Sequence, residues 1–341
     1  MNVGKRRKRI RLATVATYAA LVCLGTAFTL PFVWMLVTSL KPASRIQKFP
    51  PDIIPMQPVN VRLDGRLCEV YRDRRGAELA VLEKLQGGMA RVKPVNDTQA
   101  PAQIVSLDKL EPAIRPGLEW SNYSKGLVFI PFVDQLRNTL IVSICCVVGT
   151  ILSCSLVAYG LSKIDWKGRN TLFIIILATM MLPAQVTMIP VFTIFVRLHW
   201  VNTFLPLIVP SFLGTPFFIF LLRQFFLGIP RELSEAAKLD GCGDFGIYRR
   251  IVMPLSKPAL ATVGLFTFMG AWNDFLGPLI YLLDETKYTL SLGLAMFTGQ
   301  YGNEYGMLMA VSTVVTVPII VLFFFTQRTF IQGMTMSGIK Q

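Results

Sequence analysis

Glu235-Ala236-Ala237-Lys238-Leu239-Asp240-Gly241, running on through Ile251, Pro254 and Pro258, is a polar stretch set between two long apolar ones. Pro230 suits a first helical position, where the N–H it lacks would have no partner. Glu232 and Glu235 then fall near the positive end of the helix dipole. Leu233, Ala236 and Ala237 stand at i, i+3 and i+4 and share one face. Gly241, after Asp240, is free to take the left-handed conformation that stops a helix. Asp244 is placed to cap a second helix, in which Phe245, Tyr248 and Val252 form another apolar face. Pro254 and Pro258 end it. The pattern predicts a stiff helix-turn-helix knob at a membrane surface, with apolar and charged sides, shaped for a cleft in a partner.

The surrounding chain says which surface. Of 341 residues, 53% are hydrophobic and only 16% are charged, the composition of a polytopic membrane protein. The net charge of +14 is not gathered on a soluble domain but sits largely at the ends of apolar runs, so it indicates membrane topology and not nucleic acid. Residues 1–11 carry the basic cluster Lys5-Arg6-Arg7-Lys8-Arg9 with Arg11, a cytoplasmic tail facing anionic membrane lipid. Residues 12–40 are uncharged. That run far exceeds the 7–15 apolar residues of a signal-peptide core, so it reads as a retained spanning helix with Pro31 as its kink.

Residues 41–137 are polar and read as extracytoplasmic. Within them Val59-Asn60-Val61-Arg62-Leu63 alternates, Asp64-Gly65 supplies a turn, and Leu67-Cys68-Glu69-Val70-Tyr71 alternates again. A second hairpin runs from Leu79 to Leu85, turns at Gly87-Gly88, and returns from Met89 to Val92. Residues 56–112 are therefore expected to be a small β-rich insert, thin in apolar residues. From 138 to 341 the chain returns to apolar runs at about 138–162, 171–196, 201–222, 258–283 and 306–327. Pro183 and Pro190 break the second of these, which is tolerated only where protein or a cavity satisfies the freed backbone groups. The loop 223–257 bears Arg223, Arg231, Lys238, Arg249, Arg250 and Lys257 and is assigned to the cytoplasm. The expected fold class is an all-α polytopic protein of six transmembrane helices, both termini cytoplasmic, with a cytoplasmic knob and an outer β insert.

Glu235-Ala236-Ala237, Asp240-Gly241, Ile251, Pro254 and Pro258 in this spacing resemble the EAA loop of ABC-importer permeases. Pro31-Phe32-Val33-Trp34-Met35 ahead of Thr38-Ser39-Leu40-Lys41, Asn138-Thr139-Leu140, Trp272-Asn273 and the tail around Gln332-Gly333 resemble the carbohydrate (maltose-type) branch, and within it the smaller permease subunit. The resemblance covers residues 12–55 and 118–341, leaving out 56–117. It implies a permease that translocates a sugar or related polyol across the inner (cytoplasmic) membrane by alternating access. It also implies partners: a homologous second permease, a dimer of ATP-binding subunits and an extracytoplasmic solute-binding protein. Glu235, Ala236, Ala237, Asp240, Gly241, Arg249 and Pro254 would then couple the chain to the ATPase.

The remaining chemistry is sparse. There is no Gly-rich phosphate loop ending in Lys-Ser/Thr, so no ATP cofactor is expected on this chain and ATP hydrolysis is assigned to a separate subunit. His199 is the only histidine, which excludes a His-based metal cluster or triad. The six cysteines form no framework: Cys23, Cys145, Cys146 and Cys154 lie in apolar runs, Cys242 in the knob, and Cys68 alone in the outer region. Trp272-Asn273-Asp274 is the candidate substrate path. Polar groups inside a span tend to face a cavity, and a Trp beside an amide and a carboxylate suits a sugar. Successive helical residues fan out by about 100°, so Asn273 and Asp274 are expected to face inward with Trp272 at the cavity edge. The alternative for the same residues is interhelical packing. Two other functions fit less of the sequence: an ion-coupled secondary transporter, for which Asp274 is the one clear buried acid, and a membrane-anchored receptor that binds ligand through its insert.

Overall fold

The computed structural model describes residues 3–338, apart from 64, 74, 98–99 and 300–301. The side chains of the basic cluster at 5–9, Asp64 in the first hairpin turn and the side chains of the tail around Gln332-Gly333 lie outside the described residues. Contacts divide the chain into two compact units, Met1–Leu127 with Gln300–Thr313, and Val128–Gly299 with Val314–Gln341.

In the first unit, helix α1 (Val3–Ser39) carries an apolar stretch, Thr14–Ser39, none of whose most apolar window is buried against the chain. Its 26 residues extend roughly 39 Å at 1.5 Å per residue, enough to cross a bilayer. The helix ends in a polar lock. Asn122 Nδ2 donates to the carbonyls of Ser39 and Lys41, both at 2.8 Å, and Ser39 Oγ shares a 2.8 Å hydrogen bond with the Tyr123 hydroxyl. Lys41 is buried with its ammonium 4.4 Å from the Trp34 ring centre.

The insert is β structure, as expected. Strands β2 (Asn60–Leu63), β3 (Arg66–Arg72), β4 (Glu78–Lys84), β5 (Met89–Pro94) and β6 (Gln103–Ser106) follow one another antiparallel, while β7 (Glu111–Pro112) pairs with β3. A short ribbon of β1 (Met56–Pro58) and β8 (Ile114–Pro116) closes its base, so the β region reaches 116 and not 112. Leu63 opposite Arg66 and Lys84 opposite Ala90 place the turns at the two glycine-containing sites. Gly65, Gly87 and Gly88 all have φ between 74° and 80°, the region that favours glycine. Neighbouring Ala80 and Val81 on β4 belong to two different apolar clusters, because alternate residues face opposite sides. Cys68 is a buried free thiol in one of them.

The second unit is built around helix α3 (Phe132–Ser162), the longest in it at 31 residues, which follows the short helix α2 (Ser121–Phe129) in the chain. Its buried positions include Thr139, Val142, Cys146, Gly149, Thr150, Cys154, Ser155 and Ala158. This stripe of small side chains lets backbones approach closely, the usual solution for helices packed in lipid. At Gly149 the approach is complete: an added Cβ would sit 2.6 Å from the Phe212 ring.

The other apolar runs are less regular than six whole helices. The run 171–196 is two helices, α4 (Arg169–Thr179) and α5 (Ala184–Arg197), interrupted just before Pro183. The expected run 201–222 is displaced to Leu205–Leu227, with a 3₁₀ turn over Val209–Leu213 ahead of helix α6 (Pro216–Leu227). Pro206, Pro210 and Pro216 each remove a backbone donor and restart the chain. After α7 (Arg231–Leu239) and α8 (Asp244–Leu255), the run 258–283 begins as α9 (Lys257–Trp272), bent 78° from α8. It stops at Trp272 and resumes as α10 (Leu276–Tyr281), followed by α11 (Leu290–Ala295). Helix α12 (Tyr305–Gly338) carries the last apolar stretch, Tyr305–Gln327. Among the described residues, four helices are long and apolar enough to span, or five if the bent α8–α9 pair is counted as one.

Replacing Gly149 with Ala should push α3 off Phe212 and cost about 1–3 kcal/mol, the usual penalty for overpacking. The thermal midpoint of the full chain in detergent measures it; an unshifted midpoint would show that the Phe212 ring gives way freely.

Candidate functional site

The knob follows from its local sequence. Pro230 takes the N-cap of α7, one position earlier than expected, and Arg231 is the first helical residue. Glu232 lies in the first turn and Lys238 in the last, each on the favourable end of the dipole. The stop is a Schellman motif. Gly241, at φ 79°, donates to Lys238 O at 3.0 Å, and Cys242 donates to Ala237 O at 2.9 Å. Open space surrounds Gly241, so its backbone conformation and not crowding calls for glycine.

Helix α8 departs from expectation at its start. Gly243, not Asp244, is the N-cap, and the Asp244 carboxylate reaches back to Lys238 at 3.3 Å. Both side chains are about half exposed, where such a pair contributes little. The expected face of Phe245, Tyr248 and Val252 is split: Tyr248 and Val252 are buried, whereas Phe245 is 68% exposed. A π turn over Tyr248–Val252 shifts the register and puts Ile247, Tyr248 and Val252 into the core. The Tyr248 hydroxyl shares a 2.8 Å hydrogen bond with Ser155 of α3, and the Tyr159 hydroxyl donates to Asp244 O at 2.9 Å. The two tyrosine rings meet edge-on, 5.3 Å apart. Lys163, just past α3, donates to Ile229 O at 2.6 Å, and its burial, with Arg231 adding repulsion, holds the ammonium below its ordinary range.

The knob is thus pinned to α3 on one side and bare on the other. Of the candidate residues, Glu235, Ala236, Asp240, Gly241, Arg249 and Pro254 are exposed, and only Ala237 turns toward the core. Leu233 is exposed too, so the expected shared face with Ala236 and Ala237 is mostly uncovered. Leu239, 90% exposed, and Phe245 are further uncovered apolar side chains of the knob. Leu239 was not singled out from sequence, whereas Phe245 was expected on an apolar face with Tyr248 and Val252. A leucine directly ahead of an Asp-Gly helix stop was the available signal.

The second candidate, Trp272-Asn273-Asp274, does not fan out along a helix, because α9 ends there and Asn273 is its C-cap. Trp272 is buried against Phe268 with ring centres 5.3 Å apart. Asn273 folds back, its Nδ2 donating to Met269 O at 2.8 Å, and is exposed. Asp274 alone lines a cavity of about 270 Å³, together with Cys146 and Thr150 of α3, Ser211, Thr267 and Phe218. One Asp274 carboxylate oxygen accepts from Gly277 N at 3.1 Å. The Ser291 hydroxyl donates to the Asp274 carbonyl at 2.5 Å. Asn273 therefore does not face inward with Asp274 as the fan predicts, since the chain leaves helical geometry between them.

Residues 149–335 match the family described as the binding-protein-dependent transport system inner membrane component. The chain belongs to this family. An arabino-oligosaccharide transport permease of Halalkalibacterium halodurans is 41% identical over 60% of this chain and 72% of its own length. A trehalose/maltose transport permease of Thermococcus litoralis is 32% identical over 61% and 76% respectively. A polygalacturonan/rhamnogalacturonan transport permease of Bacillus subtilis is 34% identical over 62% and 80%. Among solved structures, a chain of a bacterial ABC transporter that imports alginate aligns over 94% of this chain and 97% of its own, with a TM-score of 0.66 and 21% identity. The likeness in fold extends beyond the residues that the family model matches. Membership makes this chain a multi-pass inner-membrane transport subunit and not an enzyme, ATP hydrolysis residing on a separate subunit.

Gly241→Ala should destabilise the α7 stop by about 1–2 kcal/mol, the cost of a Cβ in the left-handed region. Gly241→Asn should lose less, because Asn tolerates that region. Thermal scans of the two variants give the order; equal losses would count against the conformational account.

Proposed function

We propose that the chain is one of two homologous permease subunits of an ABC importer for a sugar or related polyol. The knob of residues 231–257 docks in a cleft of an ATP-binding subunit, and the β insert faces the extracytoplasmic solute-binding protein's side. The observation that carries the reading is the bare face of the knob. Glu235, Asp240 and Arg249 offer charge-assisted contacts there, beside exposed Leu239 and Phe245. The opposite face is tied to α3 through Tyr248 and Tyr159. Exposed Leu233, Leu239 and Phe245 on this one helix-turn-helix support an apolar partner surface there.

The topology proposed is six spans, with α4 and α5 together forming the third and both termini in the cytoplasm. Alternating access follows if closure of the ATPase dimer moves the knobs and the spans carry that motion to a mid-membrane site. The sugar class is supported by the named substrates of the relatives and by the hydroxyl-rich cavity at Asp274.

Glu235→Lys or Gly241→Trp should abolish saccharide uptake and co-purification of the ATPase subunit while the chain still inserts in the membrane. Normal assembly and uptake by Gly241→Trp would overturn the docking assignment, and uptake driven by an ion gradient without ATP would overturn the importer. Separately, removing residues 58–114 and rejoining them with a short flexible linker should leave a chain that inserts and pairs with its partner permease. Loss of insertion or pairing would make the insert part of the core fold.

A further inference from the structure

The turn between α3 and α4 gathers positive charge that its own residues do not balance. Three side chains converge on the backbone of residues 160–164, where α3 ends. Trp166 Nε1 donates to Gly160 O at 2.9 Å, Arg223 Nε to Leu161 O at 3.2 Å, and Arg169 Nη1 to Ile164 O at 3.2 Å. Arg223, arriving from α6, also donates through Nη2 to Asn170 Oδ1 at 3.3 Å, which seats it beside Arg169. Its guanidinium carbon lies 4.0 Å from the centre of the buried Phe173 ring. Yet Arg223, half-buried, pairs with no carboxylate among the described residues. Arg169 does pair with Asp165, whose carboxylate is 70% exposed, so water weakens that pair. Lys167, between them in the chain, is exposed. One exposed carboxylate thus stands against three cations.

A guanidinium held only by neutral groups keeps its charge for an outside anion, and its planar fork matches phosphate. Position says which phosphate. Helix α3 ends at Ser162, α4 begins at Arg169, and the apolar stretch Leu205–Leu227 ends four residues past Arg223, so the cluster stands where apolar helices meet water. Further along α4, Leu172, Ile174 and Ile175 are exposed apolar side chains of the kind acyl chains cover. Trp166, 41% exposed, sits at this boundary as tryptophans do at headgroup level. Free phosphate would use the arginines alone; a phospholipid also covers the indole and the apolar wall. A zwitterionic headgroup would bring an ammonium to an already cationic place, whereas an anionic one would not. We propose that Lys167, Arg169 and Arg223, with Trp166 at the rim, form a binding site for the headgroup of an anionic phospholipid of the phosphatidylglycerol type. Its place on the cytoplasmic side rests on the proposed topology.

The test uses the assembled importer in phosphatidylcholine nanodiscs doped with brominated lipid, which quenches tryptophan on contact. The chain has five tryptophans, so the Trp166 signal is taken as the difference between the natural chain and Trp166→Phe. Dibromo-phosphatidylglycerol should half-quench that signal at about a fivefold lower mole fraction than dibromo-phosphatidylcholine. Arg169→Gln combined with Arg223→Gln should cut this preference to less than about twofold, and Lys167→Gln, on an exposed side chain, should roughly halve it. Equal quenching by the two lipids in the natural chain, or a preference that the variants leave unchanged, overturns the site. The natural chain and Lys167→Gln decide the matter if the double variant fails to assemble. Relief of the quenching by excess inorganic phosphate would make this a soluble-anion site and overturn the lipid assignment. Loss of the ATPase subunit from the double variant with its lipid preference intact would make the cluster a protein contact instead. Labelling of Lys167→Cys by a membrane-impermeant maleimide, read against the natural chain, tests the topology separately. Labelling in inverted vesicles but not in intact cells is expected; labelling in intact cells would overturn the topology whatever the lipids show.

Discussion

Backbone groups within a bilayer have no water to fall back on, and an unsatisfied one costs several kcal/mol. The second unit breaks its helices repeatedly, at 180–183, 209–215 and 273–275, and each break frees carbonyls and N–H groups at membrane depth. Helix α3 meets that cost at the second of these breaks and also holds the segment 284–290. Its Cys146 thiol donates to Leu207 O, Ser153 to Ser211 O at 2.9 Å, and Cys154 accepts from Thr215 N at 3.2 Å. Nearer its start, Asn138 Nδ2 donates to the carbonyls of Thr286 and Tyr288, and Thr139 Oγ1 accepts from Leu290 N at 2.9 Å. A regular helix thus carries the irregular segments, and its small polar residues are there because larger or purely apolar ones would leave that backbone unpaired.

The same helix reaches each place where function is proposed. Its first turns hold the segment 284–290, its middle forms one wall of the cavity, and Ser155 and Tyr159 near its end hold the knob. On the proposed function this gives the coupling a physical path. A force on the bare face of α7 is delivered through buried, hydrogen-bonded contacts to a rod that also borders the ligand site. Side chains that are packed and paired on both partners move together or not at all. The exposed Lys238–Asp244 pair is too weakly held to add much to that stiffness; the paired tyrosines supply it.

How much of this could be read in advance depended on whether the cause was local. The Asp-Gly stop of α7 and the hairpin turns at Gly65 and Gly87-Gly88 are consequences of a few adjacent residues, and the positive φ at each glycine is the realised form of that chemistry. Faces were harder. A membrane helix is apolar on every side, so periodicity does not distinguish its lipid side from its packed side. In the knob Phe245 keeps its ring contact with Tyr248, 5.9 Å between centres, yet is left 68% exposed while Tyr248 is buried. The stop at Trp272 had no Gly or Pro to announce it.

The cavity shows why its lining was only partly legible in the sequence. Asp274 was identifiable because a carboxylate in an apolar run requires an explanation wherever it falls. Thr150, Ser211 and Thr267 are unremarkable in their own runs, since a lone hydroxyl on a membrane helix ordinarily bonds back to a carbonyl one turn earlier, as Thr262 does to Pro258 O at 3.0 Å. Thr267 lies five residues further along the same helix with no such bond among the described residues. Its oxygen is enclosed by protein, a consequence of tertiary packing that no local sequence pattern announces.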